Sequence, residues 1–231
     1  QTQQAIAFLA PLLKEIQKDP QLFALAGEVY MQARDFTKAT EYFEKANDLA
    51  PNIAGLHTAL GMSKLAMGDS THAIAELQQA ASLDSKSPRA GILLALTHLR
   101  LKEFDKALTA INALEKTDPK NPLFYNLKGG VYLNKKDIAN ARANFNKALS
   151  LDASYFPAIA NLAQIDVREK KPEIAKKRFE AILKNDEKNI QAMNALASLA
   201  QSQGDIKEAT AWLELASNKN PTELQPALQL I

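Results

Sequence analysis

The chain has 231 residues, 46% of them hydrophobic and 23% charged, a balance that excludes a disordered segment and supplies apolar material for an extensive core. Its 28 basic and 26 acidic residues leave a net charge of +2, with no basic run long enough to follow a phosphate backbone, so nucleic acid is not an expected partner. The absence of cysteine excludes disulfides, thiolate catalysis and thiolate metal sites.

The chain opens QTQQAIAF, without an initiator Met or a signal-peptide pattern, and no apolar stretch approaches the roughly 20 residues that span a bilayer. It reads as a piece of a longer protein, with no direct membrane insertion of its own. Residues 2 to 19 put Ala5, Leu9 and Leu12 on one helical face, with Pro11 expected to kink that helix or delay its start. Further on, residues 27 to 46 (GEVYMQARDFTKATEYFEKA) are answered by residues 129 to 148 (GGVYLNKKDIANARANFNKA). The offset, 129 minus 27, is 102, or three times 34, and a fixed period of that size marks a repeat array.

Stepping by 34 from Ala39 meets Ala73, Ala107, Ala141, Ala175 and Ala209. Phe43 leads in the same way to Leu77, Ile111, Phe145, Phe179 and Leu213, and Ala46 to Ala80, Leu114, Ala148, Ile182 and Ala216. Within each unit these positions are spaced i, i+4, i+7, one face of a helix. A first helix precedes it, with a small residue at Gly27, Gly61, Ala95, Gly129, Ala163 and Ala197, expected to face the repeated Ala of the second helix and allow close approach. Between the two helices lie RDF, GDS, KEF, KKD, EKK and QGD, where Asp35, Asp69, Asp137 and Asp205 are placed to cap the second helix. The second helices stop at LAPN, DSKSP, DPKNP and NPTE, whose prolines suit the first turn of the next helix.

This helix–turn–helix pattern resembles the tetratricopeptide repeat family. Phe23, Gly27, Tyr30, Ala39, Phe43, Ala46 and Pro51 match its consensus in the first unit; Tyr125, Gly129, Tyr132, Ala141, Phe145 and Ala148 match in the fourth, with Ala153 where Pro is expected. Lys64 and Asp166 depart at the Tyr position. The register divides the chain into the second helix of a preceding repeat at 1–19, six repeats at 20–53, 54–87, 88–121, 122–155, 156–189 and 190–223, and the start of another at 224–231. The resemblance implies an all-α, right-handed superhelical solenoid of antiparallel helix–turn–helix units whose first helices line a concave groove. The Ala-rich style also resembles bacterial members of the family, including the lipoproteins of exopolysaccharide and envelope protein-sorting systems. That narrower resemblance implies a periplasmic or envelope-anchored setting, with the cytoplasm as the alternative.

In the family, groove positions are the second, fifth, ninth, twelfth and thirteenth of each unit. Carried onto this chain they give, as a candidate peptide-binding groove, Glu28, Met31, Thr58, Met62, Arg89, Ile92, Leu96, Arg100, Asn126, Asn134, Gln164, Arg168, Asn194 and Ser198. The middle of this set is apolar and its later part polar. Asn126, Asn161 and Asn194 could form an amide ladder able to donate and accept along a peptide backbone, or be plain solvated surface. The carboxylate clamp of the chaperone-binding subclass, Lys at the fifth and Asn at the ninth position, occurs in no unit. Leu65, Leu99 and Leu133 are expected to pack adjacent units.

Catalytic signatures are missing: GxSxG, GxxxxGK[ST], GxGxxG and HExxH do not occur, and His57, His72 and His98 have no zinc-site spacing. His57 replaces a packing aromatic and reads as structural. The chain is therefore expected to be a non-enzymatic scaffold without cofactor or metal, holding a protein or peptide partner in its groove. Assembly into a larger machine, including self-association, is the competing expectation.

Overall fold

The computed structural model describes residues 2–16 and 18–221, so the expected opening of a further repeat at 224–231 lies outside it. The described residues form thirteen α-helices and no strand. They divide into two compact units, residues 1–119 and 120–231.

The first unit holds α1 (Thr2–Glu15), α2 (Pro20–Gln32), α3 (Phe36–Leu49), α4 (Ala54–Ala66), α5 (Ser70–Leu83), α6 (Pro88–Arg100) and α7 (Phe104–Thr117). Here α1 packs on α2, and α2–α3, α4–α5 and α6–α7 are hairpins joined through α3–α4 and α5–α6 contacts. The second unit holds α8 (Pro122–Asn134), α9 (Ile138–Leu151), α10 (Phe156–Arg168), α11 (Pro172–Asn185), α12 (Ile190–Ser202) and α13 (Ile206–Lys219). Its hairpins α8–α9, α10–α11 and α12–α13 stack in the same way, each element packing on the next. The fold class is an all-α helical-repeat solenoid.

Each hairpin turn is set by one backbone device. At the end of the first helix, Arg34, Gly68, Lys102, Lys136, Lys170 and Gly204 all take positive φ, between 59° and 86°. In the first hairpin the Arg34 amide donates to the Met31 carbonyl and the Asp35 amide to the Tyr30 carbonyl; the same two bonds recur in all six turns. This is the Schellman pattern, which satisfies carbonyls left free at a helix end. The residue that ends one helix then begins the next. Asp35 Oδ1 accepts from the Lys38 amide at 3.1 Å, and Asp69, Asp137 and Asp205 accept equivalently from His72, Asn140 and Glu208. Pro20, Pro88, Pro122 and Pro172 open their helices, where a missing amide hydrogen costs nothing. Pro11 does not delay its helix: α1 starts at Thr2, well ahead of it, and continues to Glu15, burying Leu9 against α2.

The repeated alanines are all buried. The small residues of the first helices are buried too, and at Gly27, Gly61 and Gly129 the nearest side chain belongs to the large residue one turn beyond the repeated alanine. A Cβ added to Gly27 would stand 2.5 Å from Phe43 Cε1, and one on Gly61 would stand 2.9 Å from Leu77 Cγ. The glycine accommodates a large side chain there, which is how Phe43 and Phe145 become almost wholly buried.

Where the repeat consensus fails, polar side chains replace the missing aromatic with bonds. Buried His57 sets Nδ1 2.7 Å from Glu76 Oε2 and Nε2 2.8 Å from the Pro51 carbonyl, tying α4 to α5 and to the preceding turn. Lys64 Nζ reaches Glu44 Oε1 at 2.8 Å. Asp166, 2% exposed, is held by Arg178 of its own hairpin and Arg142 of the preceding one, at 2.6 and 2.8 Å. Unpaired, such a carboxylate could not be buried; the two guanidiniums make its burial tolerable.

Candidate functional site

The inner positions of the first unit converge on one cleft. Glu28, Met31 and Met62 share a cavity of about 450 Å³ with Arg89, along with Ala24, Gln32 and Gly55 of the same positional class. These side chains come from α2, α4 and the start of α6, so three hairpins contribute to one surface. Met31 and Met62 are half-buried and form an apolar floor with Leu56, Ala59 and the edge of Phe43. Glu28 and Arg89 are exposed at its rim. The Arg89 Nη2 lies 3.5 Å from Met62 Sδ, a weak acceptor, and so rests over the floor rather than in an ion pair.

Two members of the set differ from a simple groove lining. Thr58 is buried, 6% exposed, with its hydroxyl donating to the Ala54 carbonyl at 2.8 Å, so it offers a ligand little. Arg100 donates to Ser70 Oγ at 3.1 Å. Ile92 is half-buried, while Leu96 stays 43% exposed on α6. Leu65 packs as expected, against the core of Leu77, Ala80 and Leu94.

In the second unit the candidate groove residues are polar. Asn161 Nδ2 donates to Asn126 Oδ1 at 3.0 Å, joining α10 to α8. That bond uses one acceptor and one donor that a peptide backbone would need. Asn194 on α12 is half-buried, and its Oδ1 is buried without a hydrogen-bond partner among the described residues. Asn134 turns back, its Nδ2 donating to the Gly130 carbonyl at 2.9 Å. Gln164, Arg168 and Ser198 are exposed on α10 and α12. Leu133 packs against the Tyr125–Phe145 core.

Ile53 is a lining residue that repeat-position reasoning missed. It occupies the N-cap of α4, makes no side-chain capping bond and leaves 49% of its surface exposed on the cleft wall. Asp19, Asn121 and Asn189 cap the equivalent helices with their side chains. An isoleucine in a slot that favours Asn, Asp or Ser is the sequence signal that could have found it.

Among the described residues, no helix is long and apolar enough to cross a membrane. No group of three or more His, Cys, Asp or Glu side chains there is placed to hold a metal ion.

Family models described as tetratricopeptide repeat match residues 20–53 and 123–155, residues 64–130, and residues 161–222. Anaphase-promoting complex subunit 3 of Schizosaccharomyces pombe is 20% identical over 202 residues, covering 87% of this chain and 30% of that protein. The chain spans less than a third of the length of the curated relatives it matches. Among solved structures, the C-terminal part of a TPR repeat-containing protein from Cytophaga hutchinsonii has a TM-score of 0.66 at 16% identity, covering 100% of this chain and 95% of that one. YrrB, described as a TPR protein with an unusual peptide-binding site, has a TM-score of 0.58 at 22% identity, covering 68% of this chain and 81% of its own. At such identities the likeness to solved structures is one of fold. The repeat models, which together match residues 20–53, 64–155 and 161–222 over helices that recur every 34 residues, place this chain in the tetratricopeptide-repeat family.

Proposed function

We propose that the chain is a non-catalytic scaffold that holds an extended or helical segment of a protein partner along the inner side of its first helices. The observation that carries this reading is the cleft of the first unit, where Glu28, Met31, Met62 and Arg89 from three hairpins frame one apolar floor. Apolar side chains left open to solvent at a concave surface favour a ligand over idle exposure. Methionine, unbranched and polarisable, adapts its shape to different apolar partners. The likeness to YrrB, whose description names a peptide-binding site, supports the same reading.

The test is a peptide array from the source proteome, read with the wild-type chain and with Met62→Glu and Leu96→Glu, each checked for helix content by circular dichroism. Peptides held by the wild type and lost on Met62→Glu support the groove. Binding indifferent to both substitutions removes it.

A second reading, an assembly module of a larger machine, is favoured by exposed apolar side chains away from the cleft, Phe8 on α1 and Ile206 on α13, at 72% and 62% exposure. The relative in the anaphase-promoting complex is a complex subunit by its own description. The compositional resemblance to bacterial envelope lipoproteins gives this reading its setting, an exopolysaccharide or protein-sorting assembly. Light scattering on the purified chain over a concentration series separates it from the first reading.

A further inference from the structure

We infer that the first-unit cleft selects a partner segment in which a bulky apolar residue stands between a basic residue and an acidic one. The inference rests on the groove-binding reading above and names the chemistry of its partner.

The cleft accepts bulk without specifying shape. Met31 from α2, Phe43 from α3 and Met62 from α4 form its floor, and Ile53 adds an apolar wall. Ile53 sits where a side-chain cap would satisfy amides of α4, and it makes no such bond. The local helix is worse off for it, and the gain is an exposed apolar surface facing the cleft.

Charge then gives the cleft a direction. Glu28 stands on the α2 side and Arg89 on the α6 side, with the α4 floor between them. Among the described residues neither is in an ion pair: Arg89 reaches only the Met62 sulfur, and Glu28 has no basic partner. Elsewhere in the same unit Lys64 pairs with Glu44 and Lys45 with Glu41. A segment crossing the floor thus meets a free carboxylate on one flank and a free guanidinium on the other. An apolar side chain seated between them displaces water and strengthens both attractions, while a segment carrying two like charges meets repulsion on one side.

The experiment uses synthetic peptides with a central Phe, Leu or Ala, flanked at one to three residues by Lys–Asp, Lys–Lys or Asp–Asp, titrated against the full chain by fluorescence anisotropy. Peptides with one Lys, one Asp and a central Phe or Leu are expected to bind about tenfold more tightly than the others, a difference of about 1.4 kcal/mol. Arg89→Glu, which leaves acid on both rims, transfers the preference to Lys–Lys peptides; Glu28→Lys transfers it to Asp–Asp peptides. Both residues are exposed, and a folding defect cannot produce such a reversal. If peptides bind the wild type and are lost on Met62→Glu, yet show no dependence on flanking charge or on either reversal, this inference falls and the groove reading stands. If no peptide binds the folded wild type, both fall. Self-association that Arg89→Glu abolishes would identify a second copy as the occupant and overturn the peptide partner.

Discussion

Asp166 and Arg178 face each other across the α10–α11 hairpin, with Arg178 Nε donating to Asp166 Oδ2 at 2.6 Å. The corresponding pair in the first hairpin is Tyr30 and Tyr42, stacked with ring centroids 5.4 Å apart. One contact site is thus filled by two aromatic rings in one hairpin and by an ion pair in another. Asp166→Ala would leave Arg142 and Arg178 without their shared carboxylate and is expected to cost about 3 kcal/mol in urea unfolding. Asp166→Tyr combined with Arg178→Tyr, which rebuilds the stacked pair, is expected to recover most of that loss. A double variant destabilised by the sum of Asp166→Tyr and Arg178→Tyr made singly would show that the two residues are not coupled.

The left-handed turn positions allow a stabilising change far from any contact. Lys136 is exposed at φ +62°, a conformation that L side chains resist and glycine adopts freely. Gly68 and Gly204 already occupy the same position in two hairpins. Lys136→Gly is expected to raise stability by about 1 kcal/mol. A lowered urea midpoint would mean that the lysine contributes something its backbone geometry does not show.

Two adjacent glycines should respond in opposite directions. A Cβ on Gly129 would run into the buried ring of Phe145, whereas one on Gly130 meets nothing within 4 Å. Gly129→Ala is expected to destabilise by about 2 kcal/mol through overpacking. Gly130→Ala is expected to stabilise by about 0.8 kcal/mol through helix propensity. Thermal unfolding of both variants decides the matter, and shifts of the same sign would contradict the packing described for α8 on α9.

Acid should weaken the chain through its caps and ion pairs. The Asn140 side-chain amide, followed by its backbone amide, holds the Asp137 carboxyl below its ordinary value; the His72 amide does the same for Asp69, and Lys176, followed by Trp212, for Glu208. Because the folded chain binds these protons less readily than the unfolded chain, their contribution is fully present above the ordinary carboxylate range of about 4. It is lost as pH falls through the lowered folded values. Asp137→Asn keeps a capping oxygen but removes a titrating group, so its melting temperature should fall less steeply than that of the wild type below about pH 4. Parallel curves from circular dichroism would exclude a contribution from this cap.

Much of the fold was legible because it is local. The i, i+4, i+7 spacing of Ala39, Phe43 and Ala46 identifies a helix face without reference to any distant residue, and Asp35 caps the residue three places ahead of it. The turn conformation was not legible: nothing in the identity of Arg34 or Lys170 distinguishes left-handed backbone from an ordinary exposed base. Part of the first-unit cleft was legible as a set of positions but not as a surface. Thr58 and Met62 lie four residues apart on one helix, yet one is buried and bonded to its own backbone while the other floors the cleft. Ile53, outside the expected positions, joined that cleft.

The sequence by itself determined the helical register, the period of 34 residues, the helix caps and the identity of the core positions, since each follows from short-range spacing and the bonding needs of a helix end. Only the tertiary structure decided which large side chain each small residue accommodates, how Lys64 and Asp166 are satisfied at a position meant for tyrosine, and where Glu28, Met62 and Arg89 come together. Those outcomes depend on packing between helices brought together by folding. There, volume and charge must be matched among residues whose separation along the chain says nothing about their distance in space.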